Sequence, residues 1–137
     1  MNKIQIALTK LARKYRLEII YAFGSRAGEI YARVQGKKFR PKHPRSDLDI
    51  GIKPAAPLDV QAKVEIGLFF EGLFDVPRVD VVSLPEAPSM LALEIVSGEI
   101  LFCRSENFEA EYQLYILRRA GDLMPHERLR QKIILES

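Results

Sequence analysis

Ser46-Asp47-Leu48-Asp49-Ile50-Gly51-Ile52 alternates polar or small residues with branched apolar ones, and that period of two is the signature of a strand with one buried face. In such a strand Leu48, Ile50 and Ile52 point into a core, while Asp47 and Asp49 share the opposite face. Two adjacent carboxylates repel each other unless something positive lies between them. An all-oxygen pair of this kind suits a hard cation, Mg or Mn rather than zinc. A solvent-facing edge strand would show the same alternation, so the pair needs company before it means chemistry.

Upstream, Leu17-Glu18-Ile19-Ile20-Tyr21-Ala22-Phe23 is rich in β-branched and aromatic residues and reads as a mostly buried strand closed by Gly24. The next residues, Ser25 and Arg26, fall where that strand turns into a short helix, with Ser25 as the expected N-cap and a run toward Tyr31. A glycine there lets backbone approach a ligand, and a helix N-terminus with a hydroxyl suits phosphate oxygens. Downstream, Arg78-Val79-Asp80-Val81-Val82 sets one carboxylate inside another apolar strand, expected over residues 78–84. Aspartate is depleted in strands and costly to bury unpaired, so Asp80 belongs on an exposed face or in a charged site. If its strand adjoins that of Asp47 and Asp49, three carboxylates can hold two metal ions for in-line phosphoryl displacement.

The rest of the chain supplies alternating helices and strands. Helical spacing predicts helices over residues 3–15, 58–73, 88–97 and 106–120, the last two ended by Gly98 and Gly121, and one more over 125–135. Further strands are expected over 47–53, interrupted by Pro54-Ala55-Ala56-Pro57, and over 100–103. This order argues for an α/β (α+β) domain with a small mixed sheet flanked by helices. The expected division is a core over residues 1–104, with a basic loop at 33–45, and a helical extension over 105–137 packed on the same domain.

At 137 residues, nearly half of them apolar, one cored domain is expected. Arg33, Lys37, Lys38, Arg40, Lys42 and Arg45 carry the basic charge with no acid among them; without these six the remainder is at −3, against +3 for the whole chain. The loop could be merely solvated, could steer a substrate or partner, or could grip nucleic acid. With only Tyr31 and Phe39 interleaved it makes a poor stacking platform. The single Cys103 excludes an intrachain disulfide and is expected to be a buried thiol. His43 and His126 have no companions at metal spacing and are expected to be solvated. The N-terminus lacks the apolar core of a signal peptide and no run is long enough for a bilayer, so a soluble, cytoplasmic protein without membrane contact is expected. On residues 106–120, Phe108, Tyr112, Tyr115 and Leu117 give an apolar surface for core packing, with a dimer or partner interface as the alternative.

Gly24-Ser25, then Asp47-Leu48-Asp49, then Asp80 on a later strand resembles the signature of polymerase-beta-type nucleotidyltransferases, over roughly residues 1–104. The small size is most similar to the minimal nucleotidyltransferases of prokaryotes. The resemblance implies a polymerase-beta-like fold, a nucleoside triphosphate such as ATP as substrate, and two Mg ions or Mn in their place. It implies that Gly24 and Ser25 hold the β- and γ-phosphates, that Asp47 and Asp49 bind metal, and that Asp80 completes the metal site and assists deprotonation of the acceptor. Arg26 matches the common Gly-Ser-Arg turn and is expected beside the nucleotide, a structural salt bridge being the alternative.

Many such proteins are paired with a HEPN-type RNase toxin and transfer AMP to a toxin tyrosine, which makes them antitoxins. The resemblance therefore implies a toxin partner. A catalytically idle binding protein and a small-molecule (aminoglycoside-like) transferase are the competing functions, and a homo-oligomer is compatible with all three. This chain departs from most relatives in the stretched basic loop between Gly24-Ser25 and Asp47.

Overall fold

The computed structural model describes residues 1–38, 41, 45–122 and 133–135. The expectations for Phe39, Arg40, Lys42, His43, His126 and most of the helix at 125–135 lie outside the described residues. The chain runs α1 (Lys3–Tyr15), β1 (Leu17–Phe23), α2 (Ala27–Val34), β2 (Leu48–Pro54), α3 (Val60–Phe74), β3 (Val79–Ser83), a single 3-10 turn, α4 (Ser89–Val96), β4 (Glu99–Cys103) and α5 (Glu106–Asp122). The strands form one mixed sheet in the order β3-β2-β1-β4, with β1 antiparallel to β2 and β4, and β2 parallel to β3.

Both faces of the sheet are covered, which is why β1 reads as an almost continuous apolar run. Ile20 and Ala22 join Leu48, Ile50 and Ile52 of β2 in a core closed by Leu8 and Leu11 of α1, Ile30 of α2, and Ile66 and Phe70 of α3. Ile19, Tyr21 and Phe23 face the other way, against Ala92, Ile95 and Val96 of α4 and Ile116 of α5. The Tyr21 hydroxyl donates to Glu109 Oε2 at 2.6 Å and so ties α5 to the central strand inside this second core. Burial first, and the Glu109 hydrogen bond second, push the Tyr21 pKa well above its ordinary value, so the phenol keeps its proton.

Several punctuation signals resolve differently from the sequence reading. Helix α2 starts at Ala27 with Arg26 as its cap and no side-chain cap bond, so Ser25 is not the N-cap. Ser25 instead stays exposed in the turn. Pro54 belongs to β2, and Asp47 stands just ahead of that strand. Gly98 follows α4 without a left-handed conformation. Its constraint is steric: a Cβ there would run into the Ala22 carbonyl oxygen and Phe23 of β1. Left-handed C-caps fall to Arg16 and Asp75. Gly121 does not end α5, which continues to Asp122. Cys103 is only partly buried, packed at the margin of the second core, where burial raises its pKa.

Candidate active site

The functional residues gather at one end of the sheet because of how three strands are paired. Strand β1 is antiparallel to β2, so its last residue, Phe23, is registered against Asp49 near the start of β2. Strand β3 is parallel to β2, so its start lies at the same end, with Asp80 registered directly against Asp49. The pairing extends one residue beyond the strand, where the Leu48 amide donates to the Arg78 carbonyl at 3.0 Å. Alternation holds: Leu48, Ile50 and Ile52 are fully buried in the first core, and Asp49 lies on the opposite face.

Gly24 closes the gap between β1 and α2 with φ +77, a left-handed conformation that strains any side chain. A Cβ there would stand 2.6 Å from Asp49 Oδ2, so the turn and the carboxylate are in close contact. Gly24 and Ser25 are both exposed at the head of α2. The side chains of Asp47 and Asp80 are about half exposed, at 44% and 43%. Asp49 is partly buried, and its pKa is raised first by burial, then by the charges of Asp80, Asp47 and Glu94. Three other carboxylates therefore crowd Asp49.

Among the described residues, Arg78 is the cation paired with this group. Its Nε lies 3.9 Å from Asp47 Oδ2 and its Nη2 lies 3.4 Å from Asp80 Oδ1, on a side chain that is 69% exposed. Among the described residues no three carboxylate, imidazole or thiol groups form a closed metal cage as they stand. Asp47 and Asp80 are instead drawn toward the guanidinium. The donor set still fits a hard divalent cation: it is oxygen only, open to solvent, and carries repulsion that a cation would relieve.

The sequence expectation for Arg26 divides. It sits beside the Gly24-Ser25 turn, but its side chain is buried and engaged, not open to a nucleotide. Nε and Nη2 donate to Glu29 Oε1 and Oε2 at 3.2 and 2.8 Å, and Nη1 donates to the Ser46 carbonyl at 3.0 Å. The structural salt bridge is the alternative the fold adopts. It fastens the head of α2 to the residue before Asp47, which closes the two ends of the long basic connection. Gly24, Ser25, Asp47, Asp49 and Asp80 lie together at one end of the sheet.

Two neighbours escaped that reading. Arg78 had a usable signal, since residues two apart in a strand share a face. Glu94 had none, because it arrives from α4 through tertiary packing.

The family comparisons agree with this geometry. A family model described as "Polymerase beta, Nucleotidyltransferase" matches residues 6–107. No curated protein matches the sequence. Among solved structures, a chain of a toxin–antitoxin complex with AMP-PNP is 26% identical, with 96% of each chain covered and a TM-score of 0.63. A chain of a complex between a tri-AMPylated Shewanella oneidensis HEPN toxin and its MNT antitoxin is 24% identical, covering 97% of this chain and 94% of that one, with a TM-score of 0.62. A chain of an MntA–HepT toxin–antitoxin complex is likewise 24% identical, with coverage of 97% and 95% and a TM-score of 0.62. Carboxylates in register on adjacent strands, a left-handed Gly-Ser turn against them, and a family match over most of the chain lead to one assignment: this protein belongs to the polymerase beta nucleotidyltransferase family.

Proposed function

We propose that this chain transfers AMP from ATP to a hydroxyl group of a HEPN-type RNase toxin and thereby acts as its antitoxin. The observation that carries the reading is the registration of Asp49 against Asp80, with Asp47 one step away and the Gly24-Ser25 turn in contact. The similar chains in solved toxin–antitoxin complexes, one with AMP-PNP and one with an AMPylated toxin, support the substrate and acceptor classes.

In this reading Gly24 and Ser25 receive the terminal phosphates, since the turn is exposed and the amides at the head of α2 favour anions. Asp47, Asp49 and Asp80 would hold Mg2+ or Mn2+, which neutralises the triphosphate and stabilises charge as it builds on the α-phosphorus. The acceptor oxygen forms the new bond to that phosphorus, the bond to the bridging oxygen breaks, and pyrophosphate leaves. Asp80, whose side chain is 43% exposed, takes the hydroxyl proton. Arg26 acts only through structure, holding Ser46 and hence the approach to Asp47.

The test is incubation with α-labelled ATP, Mg2+ and a purified HEPN-type RNase toxin. Label should pass to that protein and fall by about a hundredfold or more when Asp47→Asn and Asp49→Asn are combined. Transfer that survives the double substitution would sink the metal-site assignment. Neutralisation of the toxin with no transfer would replace enzymology with binding by occupancy.

A further inference from the structure

Helix α3 is apolar on two sides, and only one of them meets the core. Ile66, Phe70 and Phe74 are buried, whereas Val60, Val64 and Leu68 are exposed by 75%, 55% and 61%. Spaced four residues apart, these three form a stripe along about 12 Å of helix. A stripe of exposed aliphatic side chains marks a surface suited to contact, here bordered by Lys63 and Glu71.

Beside the stripe runs β3, one of the two edge strands of the sheet. Between them lies a groove of about 400 Å3, walled by Val60, Val64 and Leu68 on one side and Val81 on the other, and it reaches Arg78 and Asp80. An edge strand presents unpaired backbone donors and acceptors, and an extended chain can satisfy them by adding a strand. The groove thus combines a backbone template, an apolar wall, and the carboxylate assigned to the acceptor proton.

We infer that this groove docks the hydroxyl-bearing segment of the acceptor protein, which lies extended along β3 with apolar side chains on the Val60–Val64–Leu68 stripe and its hydroxyl at Asp80. The inference rests on the proposed transfer to a protein hydroxyl. A small-molecule acceptor would leave the stripe uncovered. A nucleic acid would gain nothing from three aliphatic side chains beside Glu71. A second copy of this chain could cover the stripe, but it would also crowd the Asp80 end that the acceptor must reach.

The deciding variant combines Val64→Glu with Leu68→Glu. Both positions are more than half exposed and glutamate suits a helix, so the melting temperature should stay near that of the parent chain. With ATP, Mg2+ and a HEPN-type toxin that the parent chain modifies, KM for that protein should rise about tenfold or more, while KM for ATP and Mn2+ binding by electron paramagnetic resonance stay unchanged. Leu68→Met should restore most of the acceptor affinity when paired with native Val64. An acceptor KM within about twofold of the parent value overturns the docking site and leaves the transfer reading intact. A parent dimer in light scattering that the double variant splits, with acceptor KM unchanged, assigns the stripe to self-association instead. No transfer by the parent chain overturns both readings together.

Discussion

Two charged clusters stand at the same end of the sheet and are built on opposite terms. Arg26 and Glu29 are 4% and 6% exposed, joined by two hydrogen bonds, with a further bond from Arg26 to the Ser46 carbonyl. Asp47, Asp49 and Asp80 lie side by side with Glu94 adding to the field, and the cation among them is an exposed arginine at 3.4 to 3.9 Å. The first cluster is closed, and its charges are spent on holding the chain. Among the described residues the second sets several carboxylates against one guanidinium where Gly24 and Ser25 are open to solvent, which is the condition a cation and a triphosphate require. Repulsion of this kind is concentrated at functional sites, where a ligand from outside the chain can relieve it.

The comparison predicts that removing charge has opposite signs in the two places. Glu29→Ala strips the buried guanidinium of its carboxylate and should cost about 3 kcal/mol, read from urea unfolding. The same variant should weaken Mn2+ binding, because Ser46 is then less firmly held ahead of Asp47. A cost below about 0.5 kcal/mol would mean that the pair is as dispensable as a surface contact, and the contrast would fail.

Asp49→Asn should do the reverse. The folded pKa of Asp49 lies above its unfolded value, chiefly through burial and then through Asp80, Asp47 and Glu94. The folded chain therefore binds that proton more tightly, and stability falls as pH rises through the window between the two values. Asparagine removes the loss. In metal-free buffer at neutral pH the variant should be more stable than the parent by roughly 0.5 to 1 kcal/mol, with a melting temperature a few degrees higher and transfer activity lost. At a pH well below the carboxylate range the gain should vanish. An equal or lower melting point at neutral pH would show that the carboxylates are already compensated within the chain.

How far these clusters could be read from sequence follows from the range of the signal. The period of two that places Asp47 and Asp49 opposite Leu48, Ile50 and Ile52 is local, and it held because one face of β2 must be buried. The mixed sheet followed from alternating elements. That Asp80 would be registered against Asp49 depends on a parallel pairing across α3, which no local pattern encodes. Arg26 and Glu29 are three apart on one helical face, so their pairing was within reach; the functional weight of the Gly-Ser turn drew the residue toward the nucleotide instead. Gly98 looked like a helix stop by composition, but the backbone of β1 sets its size limit. Glu94 and the α3–β3 groove are products of packing, and packing is the level that composition and periodicity do not reach.

Arg78 gives the smallest effect and the finest discrimination between the two clusters. Its contacts with Asp47 and Asp80 are long and solvated, so Arg78→Ala should change stability by less than about 0.5 kcal/mol. Its effect should show in ion binding. A guanidinium and a divalent cation compete for the same two carboxylates, and withdrawing the guanidinium should tighten Mn2+ binding a few-fold in the absence of nucleotide. Arg78→Lys, which keeps the charge but lacks the planar fork, should fall between the two. If Arg78→Ala instead unfolds the chain as readily as Glu29→Ala, then Arg78 closes the acidic cluster as Arg26 closes its own. The carboxylates would then be a structural network, and the cation site would have to be sought elsewhere.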